Sequence, residues 1–210
     1  MKLRLPLPDE ANHRHAKAVL SQPGISETWL ELIQILEGIS DEDLAECHET
    51  RFKTTMSLSR AYNYMIKVRL EECGWGSEPR LFSDSKFSDK AFRLDFAKDA
   101  VAVEVSFNHG EALAWNMIKL TLAGELNHVK KEYNSRVGVI ILATSDLKKA
   151  GCFDNACGEW EKAIRYLAPM QNQLSNAIAL LGIEAPSFHV IDNGRDRSKE
   201  KPRSSIIWHH

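Results

Sequence analysis

The sequence predicts an α/β fold of the α+β kind, a mixed central β-sheet flanked by helices. Three observations carry that expectation. Residues 101–107 alternate, with Val101, Val103, Val105 and Phe107 on one face and Ala102, Glu104 and Ser106 on the other. Residues 137–143, Val-Gly-Val-Ile-Ile-Leu-Ala, form an almost continuous apolar run rich in β-branched side chains, which is how a strand buried on both faces reads. A long helical pattern lies between the two, and the order strand, helix, strand predicts a right-handed parallel crossover.

The N-terminal part, residues 8–73, reads as helical. Residues 8–20 form the first predicted helix, with Asp9 as its N-cap and Pro23-Gly24 as its stop; His13, Arg14, His15 and Lys17 make it basic. Residues 26–36 form the second, capped by Ser26, with Trp29, Ile33 and Leu36 at helical spacing. Ser40 followed by Asp41, Glu42 and Asp43 opens a short third helix to about Cys47, with the acids where the helix dipole favours them. Arg51, Lys53, Thr54 and Thr55 then read as a polar link. Residues 58–72 give the clearest helix of this half: Tyr62, Met65, Ile66 and Arg69 share a stripe, and Gly74 ends it.

The sheet core is expected over residues 79–191. Gly74, Gly76 and Pro79 mark a loop, and residues 83–90, rich in Ser, Asp and Lys, mark another. Residues 93–96 are expected as a strand, 97–100 as a tight turn and 101–107 as the returning strand. A helix is expected from Glu111 to about Lys131, with Leu113, Met117, Leu120 and Gly124 on one face. Residues 144–158 read as a polar loop, 159–167 as a helix stopped by Pro169, 176–183 as another buried strand and 188–191 as a last short one. From residue 192 to 210 the chain becomes a charged, turn-prone tail whose ordering would require a partner. All of it is expected to form a single domain over residues 1–210.

Chemistry concentrates in the hairpin. Glu104 is a carboxylate in a strand whose other face is core, and an unpaired buried charge is very costly. Asp95 on the preceding strand would lie close to it. Two such carboxylates repel unless a cation separates them, and oxygen ligands of this kind suit Mg²⁺. The plainer reading is that Lys98 and Arg93 simply neutralise them.

Asp95 followed by Glu104-Val105-Ser106 resembles the signature of the PD-(D/E)XK nuclease superfamily: an acid, a short gap, then Glu-x-Lys or another polar residue on the next strand. More closely, Asp-Phe, a charged turn and Val-Glu-Val-polar-Phe resemble the BglII/BstYI-type type II restriction endonucleases, from about Leu58 to Pro186. The resemblance implies a restriction-endonuclease-like sheet and Asp95 and Glu104 as ligands of Mg²⁺, with Mn²⁺ able to substitute. The Val105 carbonyl would be a third ligand. Ser106 stands where the superfamily often has Lys; a hydroxyl is a poor general base, so Ser106 is expected to orient water. Glu78 is the candidate for the further polar residue near the metal, with Glu71 and Glu72 as competitors, and Lys119 is a candidate for a lysine that has migrated to the helix. Asn108, His109, Lys148, Lys149, Asn155, Arg195 and Arg197 are candidate DNA contacts. The implied partners are double-stranded DNA and a second copy in a homodimer, in a bacterial or archaeal cytoplasm. The implied substrate is a short palindromic site, GATC-centred and cut to 5′ overhangs. Two other readings stay open: a nuclease of this fold in DNA repair or phage defence, and a degenerate member that binds DNA without cutting.

Composition restricts the alternatives. With 27 basic and 29 acidic residues the formal net charge is −2, which argues against a non-specific nucleic-acid coat held by phosphate charge. No apolar run approaches the ~18 residues of a membrane span, and the opening Met-Lys-Leu-Arg-Leu-Pro lacks a signal peptide's apolar core. Cys47, Cys73, Cys152 and Cys157 have no disulfide or zinc-ligand spacing, and reduced thiols in a cytoplasmic chain are expected.

Overall fold

A computed structural model describes residues 1–107, 110–125, 128–194 and 203–209. The N-terminal part holds strand β1 (Asn12–His13) and four helices: α1 (Ala16–Leu20), α2 (Ser26–Glu37), α3 (Asp41–Arg51) and α4 (Ser59–Glu72). Next come β2 (Gly76–Ser77), β3 (Phe96–Lys98), β4 (Val101–Ser106) and helix α5 (Ala112–Gly124). The chain continues through β5 (Val137–Ala143), α6 (Ser145–Ala150), α7 (Trp160–Leu167), β6 (Ala177–Ile183), β7 (Phe188–Asp192) and β8 (Ser204–Trp208).

The main sheet has the order β1-β6-β5-β4-β3-β2. Strands β4, β5 and β6 run parallel, while β1, β2 and β3 join antiparallel. The sheet is therefore mixed, with the expected crossover: β4 leads through α5 into β5. Every residue of β5 and of β6 is buried, as their apolar runs require. Two hydrophobic layers cover the sheet. Val101, Val103 and Val105 pack with Val139, Ile141 and Leu181 against residues of α1 to α4 and Leu147 of α6. Ala102, Ile140, Leu142 and Leu180 pack against α5 and α7.

The hairpin is shifted from its expected limits. Its first strand spans Phe96–Lys98 rather than 93–96, and the turn is Asp99-Ala100 alone. Asp99 takes a left-handed backbone, φ 49°, which a two-residue hairpin turn asks for and which Asp tolerates. The tip is clamped from several sides. Thr28 of α2 donates to the Asp99 carboxylate at 2.7 Å, Lys98 pairs with Glu31 at 2.8 Å, and the Tyr133 hydroxyl donates to the Asp99 carbonyl at 2.8 Å.

Other elements also depart from expectation. Residues 8–20 are a 3₁₀ turn, β1 and a five-residue helix rather than one helix, because Arg14 and His15 turn left-handed (φ 47° and 58°) to let His13 reach the Leu174 carbonyl. Helix α3 runs past Cys47 to Arg51, and Ser40 and Asp43 close a capping box at its start. Helix α5 stops at Gly124, short of Lys131. The polar loop at 144–158 contains α6, N-capped by Thr144. The tail yields β8, which pairs with β7 in a separate two-stranded sheet. All four cysteines are free thiols.

Candidate active site

The site is built where β3 gives out. The ladder pairs Lys98 with Val101 and Phe96 with Val103. The next residue of that parity, Val105, finds no strand opposite, because the chain bends away at Asp95. The Asp95 side chain takes the missing partner's place: its Oδ2 accepts from the Val105 amide at 2.7 Å. In an antiparallel ladder a residue's N–H and C=O point to the same side, so the Val105 carbonyl also faces the Asp95 edge.

Glu104 lies beside this bond on the α5 face of the sheet. It is 1 % exposed, and Oε2 accepts from the Lys119 ammonium at 2.6 Å. Lys119 also donates to the Arg93 carbonyl at 3.1 Å. The second carboxylate oxygen, Oε1, is buried with no hydrogen-bond partner. Burial pushes the Glu104 carboxyl up to about 8; the Asp95 charge adds to the rise, while Lys119 and, more weakly, the Asp95 backbone amide oppose it. Burial likewise raises Asp95, against the Val105 amide and Lys119, with Glu78 adding to the rise.

Glu78 directly follows β2. Its amide donates to the Asp95 carbonyl at 2.9 Å, which extends the pairing of Ser77 with Phe96. Its backbone is left-handed, φ 50°, an unfavourable conformation of the kind that gathers at functional sites. Its carboxylate stands 3.9 Å from Arg93. The competitors Glu71 and Glu72 remain on α4, paired with Lys67 and Arg69. Lys98, considered as a neutralising partner, is engaged with Glu31 instead.

A cleft of about 220 Å³ opens over Asp95 and Glu78, lined also by Val105, Ser77 and Phe96 and, from α4, by Asn63 and Lys67; Glu104, buried on the α5 face, lies behind its lining. Sequence reasoning missed the last two. The i, i+4 spacing puts them on one helix face, but only packing shows that this face meets the hairpin.

The other expected residues are placed as follows. Ser106 is 1 % exposed on the Glu104 face, and its hydroxyl has no partner. Lys148 donates to the carbonyls of Asn155 (2.9 Å) and Cys157 (3.3 Å) and lies 3.5 Å from Glu159. With Lys149 and Asn155 it lines a different cleft, next to Cys152 and Phe153. Asn108, His109, Arg195 and Arg197 lie outside the described residues.

The donor set fits a hard divalent ion. Glu104 Oε1 is a buried oxygen without a partner, Asp95 is adjacent, and the Val105 carbonyl faces the same edge. Among the described residues, no group of three or more His, Cys, Asp and Glu side chains could hold a metal.

The model of the restriction endonuclease BglII/BglIII family matches residues 9–183. The chain belongs to that family. Its activity class is therefore that of a type II site-specific deoxyribonuclease, and restriction endonucleases generally use divalent metal ions. The fold agrees. The crystal structure of restriction endonuclease BglII complexed with a DNA 16-mer is similar over 100 % of both chains, with TM-score 0.67 and 19 % identity. The crystal structure of free BglII is similar over 99 % of this chain and 93 % of that one, with TM-score 0.57 and 17 % identity. No curated protein matches the chain by sequence. No helix among the described residues is long and apolar enough to cross a membrane.

Proposed function

We propose that the chain is a Mg²⁺-dependent restriction endonuclease that acts as a homodimer on a short palindrome in double-stranded DNA. The site is read as GATC-centred and cut to 5′ overhangs, on the strength of the hairpin's resemblance to the BglII/BstYI-type enzymes. A two-fold protein suits a two-fold site. The observation that carries the reading is the buried Glu104 with an unpartnered oxygen beside Asp95. A carboxylate so placed, held on its other oxygen by Lys119, is set up to receive a cation.

Asp95, Glu104 and the Val105 carbonyl would hold Mg²⁺, with Mn²⁺ as a substitute. Such an ion supplies an activated water and charge stabilisation for phosphodiester hydrolysis. The protein's own groups do the rest. Lys119 fixes one oxygen of Glu104 and supplies the positive charge that the Glu-x-Lys pattern would place at residue 106. The Ser106 hydroxyl, unpartnered on the same face, orients water. Glu78, exposed at the cleft and next to Asp95, is positioned to accept a proton from the attacking water. Lys148, Lys149 and Asn155, with Asn108, His109, Arg195 and Arg197, are assigned to DNA contact.

Incubation of the protein with phage DNA and Mg²⁺ tests this. Discrete bands are expected, with none in EDTA and none from Glu104→Gln. Intact DNA from the wild-type protein would refute catalysis, and a smear would refute site specificity.

A further inference from the structure

The cleft has a second wall that the hairpin acids leave unexplained. It is made by α4, whose opposite side is fixed in the core: Tyr62, Ile66 and Leu70 are at most 1 % exposed. Tyr62 packs edge-on against Phe107 (5.8 Å) and Phe153 (6.2 Å), so α4 is tied to the chain just beyond β4. The next residue on from Tyr62 and from Ile66 is Asn63 and Lys67, and both line the cleft.

Neither side chain has a strong partner. Asn63 makes no side-chain hydrogen bond among the described residues. Lys67 faces Glu71 at 3.7 Å, with the two side chains 50 % and 42 % exposed, and an exposed i, i+4 pair of that kind contributes little. Charge gives the pair a purpose. Among the described lining residues Asp95 and Glu78 are anionic and Lys67 is the single cation. A cleft walled by carboxylates alone repels a phosphodiester, and negative charge grows further as the pentacovalent transition state forms. A fixed cation and a neutral donor on a rigid helix answer that growth.

We propose that Asn63 and Lys67 are the phosphate-binding wall of the active site. Lys67 pairs with a non-bridging oxygen of the scissile phosphodiester, and the Asn63 amide donates to the same group. This rests on the nuclease reading above.

The test uses the full-length protein, a duplex oligonucleotide carrying the cleavage site mapped from phage DNA, and Lys67→Met, Lys67→Arg and Asn63→Asp. Single-turnover cleavage in Mg²⁺ is expected to slow on the order of 10- to 100-fold in Lys67→Met and at least as much in Asn63→Asp, with Lys67→Arg restoring most of the rate. Binding of the same duplex in Ca²⁺, read against salt, is expected to lose about 0.9 from its log–log slope in Lys67→Met, the share of one phosphate contact. Thermal melting of each variant within a few degrees of wild type shows that α4 is intact. Wild-type rates and slopes in Lys67→Met and Asn63→Asp overturn the proposal. If Glu104→Gln is dead in the same assay, the nuclease reading survives that result. If Glu104→Gln also cuts normally, the reading of the hairpin acids is wrong and the proposal falls with it.

Discussion

Replacing Lys119 by Met should destabilise the metal-free protein sharply, and the size of the loss follows from the geometry. Lys119 and Glu104 are 8 % and 1 % exposed and 2.6 Å apart. Their gross attraction at an effective dielectric constant of about 20 is roughly 6 kcal/mol. Desolvation of two ions offsets most of that, so the intact pair is close to neutral. Removing one partner is different, because it leaves Glu104 buried, with Oε1 already unpartnered and Oε2 newly so. The expected loss is about 3–5 kcal/mol, or a fall in Tm of roughly 2–4 °C per kcal/mol for a chain of this size. Glu104→Met with Lys119→Met removes both charges together and should return stability to near wild type while cleavage stays at zero. The assay is urea unfolding in EDTA at pH 9, above the value of about 8 to which burial raises Glu104, so that the carboxylate is charged, for wild type, both single variants and the double variant. A Lys119→Met loss below about 1 kcal/mol, or single-variant losses that simply add in the double, would refute the buried-pair argument.

Asp95→Asn should abolish cleavage while duplex binding in EDTA persists, and a gel-shift assay beside a cleavage assay checks it. Gly138→Ala should cost about 1–3 kcal/mol, because an added Cβ would lie 2.7 Å from Leu120 Cδ1; the change in urea midpoint reads it. Ser40→Ala should cost about 1 kcal/mol through the lost cap on α3, seen as a fall in Tm. Stability should also drop in acid on account of His48, which is buried against Ser204 at 2.8 Å and held below 6.5 by burial. The unfolded chain takes up this proton first, so its contribution is full above pH 6.5 and declines below, by up to about 1.4 kcal/mol per pH unit. His48→Gln should flatten that part of the pH–stability curve.

The sheet core was legible because one signal dominated each segment. Alternation in β4 and an unbroken apolar run in β5 and β6 leave little choice once two layers of helix must be covered. In the N-terminal segment nothing local announces the left-handed Arg14 and His15; their conformation serves a contact with Leu174, far along the chain. Helix α6 carries its own signals. Thr144 caps it, Asp146 sits in its first turn, Lys148 and Lys149 in its last, and Gly151 follows. At α5, Gly124 is the helix end rather than a member of a longer apolar face. At β8 the charged surroundings outweigh the strand signal of Ser-Ser-Ile-Ile-Trp.

The same distinction explains the site. Asp95 and Glu104 are close in sequence and joined by a hairpin, so a period-2 argument reaches them. Lys119 is one crossover away, and only the packing of α5 on β4 turns a helical lysine into the Glu104 partner. Asn63 and Lys67 are further off still, brought to the cleft by the edge-on packing of Tyr62 against Phe107 and Phe153. In the Glu-x-Lys pattern the cation is built into the strand that carries the acid. Here the strand offers only a small hydroxyl, and α5 places an ammonium within 2.6 Å of Glu104. A lysine at 106 would add a second buried cation on that face, beside Lys119 and against Gly158, whose added Cβ would lie 3.9 Å from Ser106 Oγ. On the proposed nuclease reading, the hydroxyl at 106 and the ammonium of Lys119 would together do what the Glu-x-Lys pattern does from one strand.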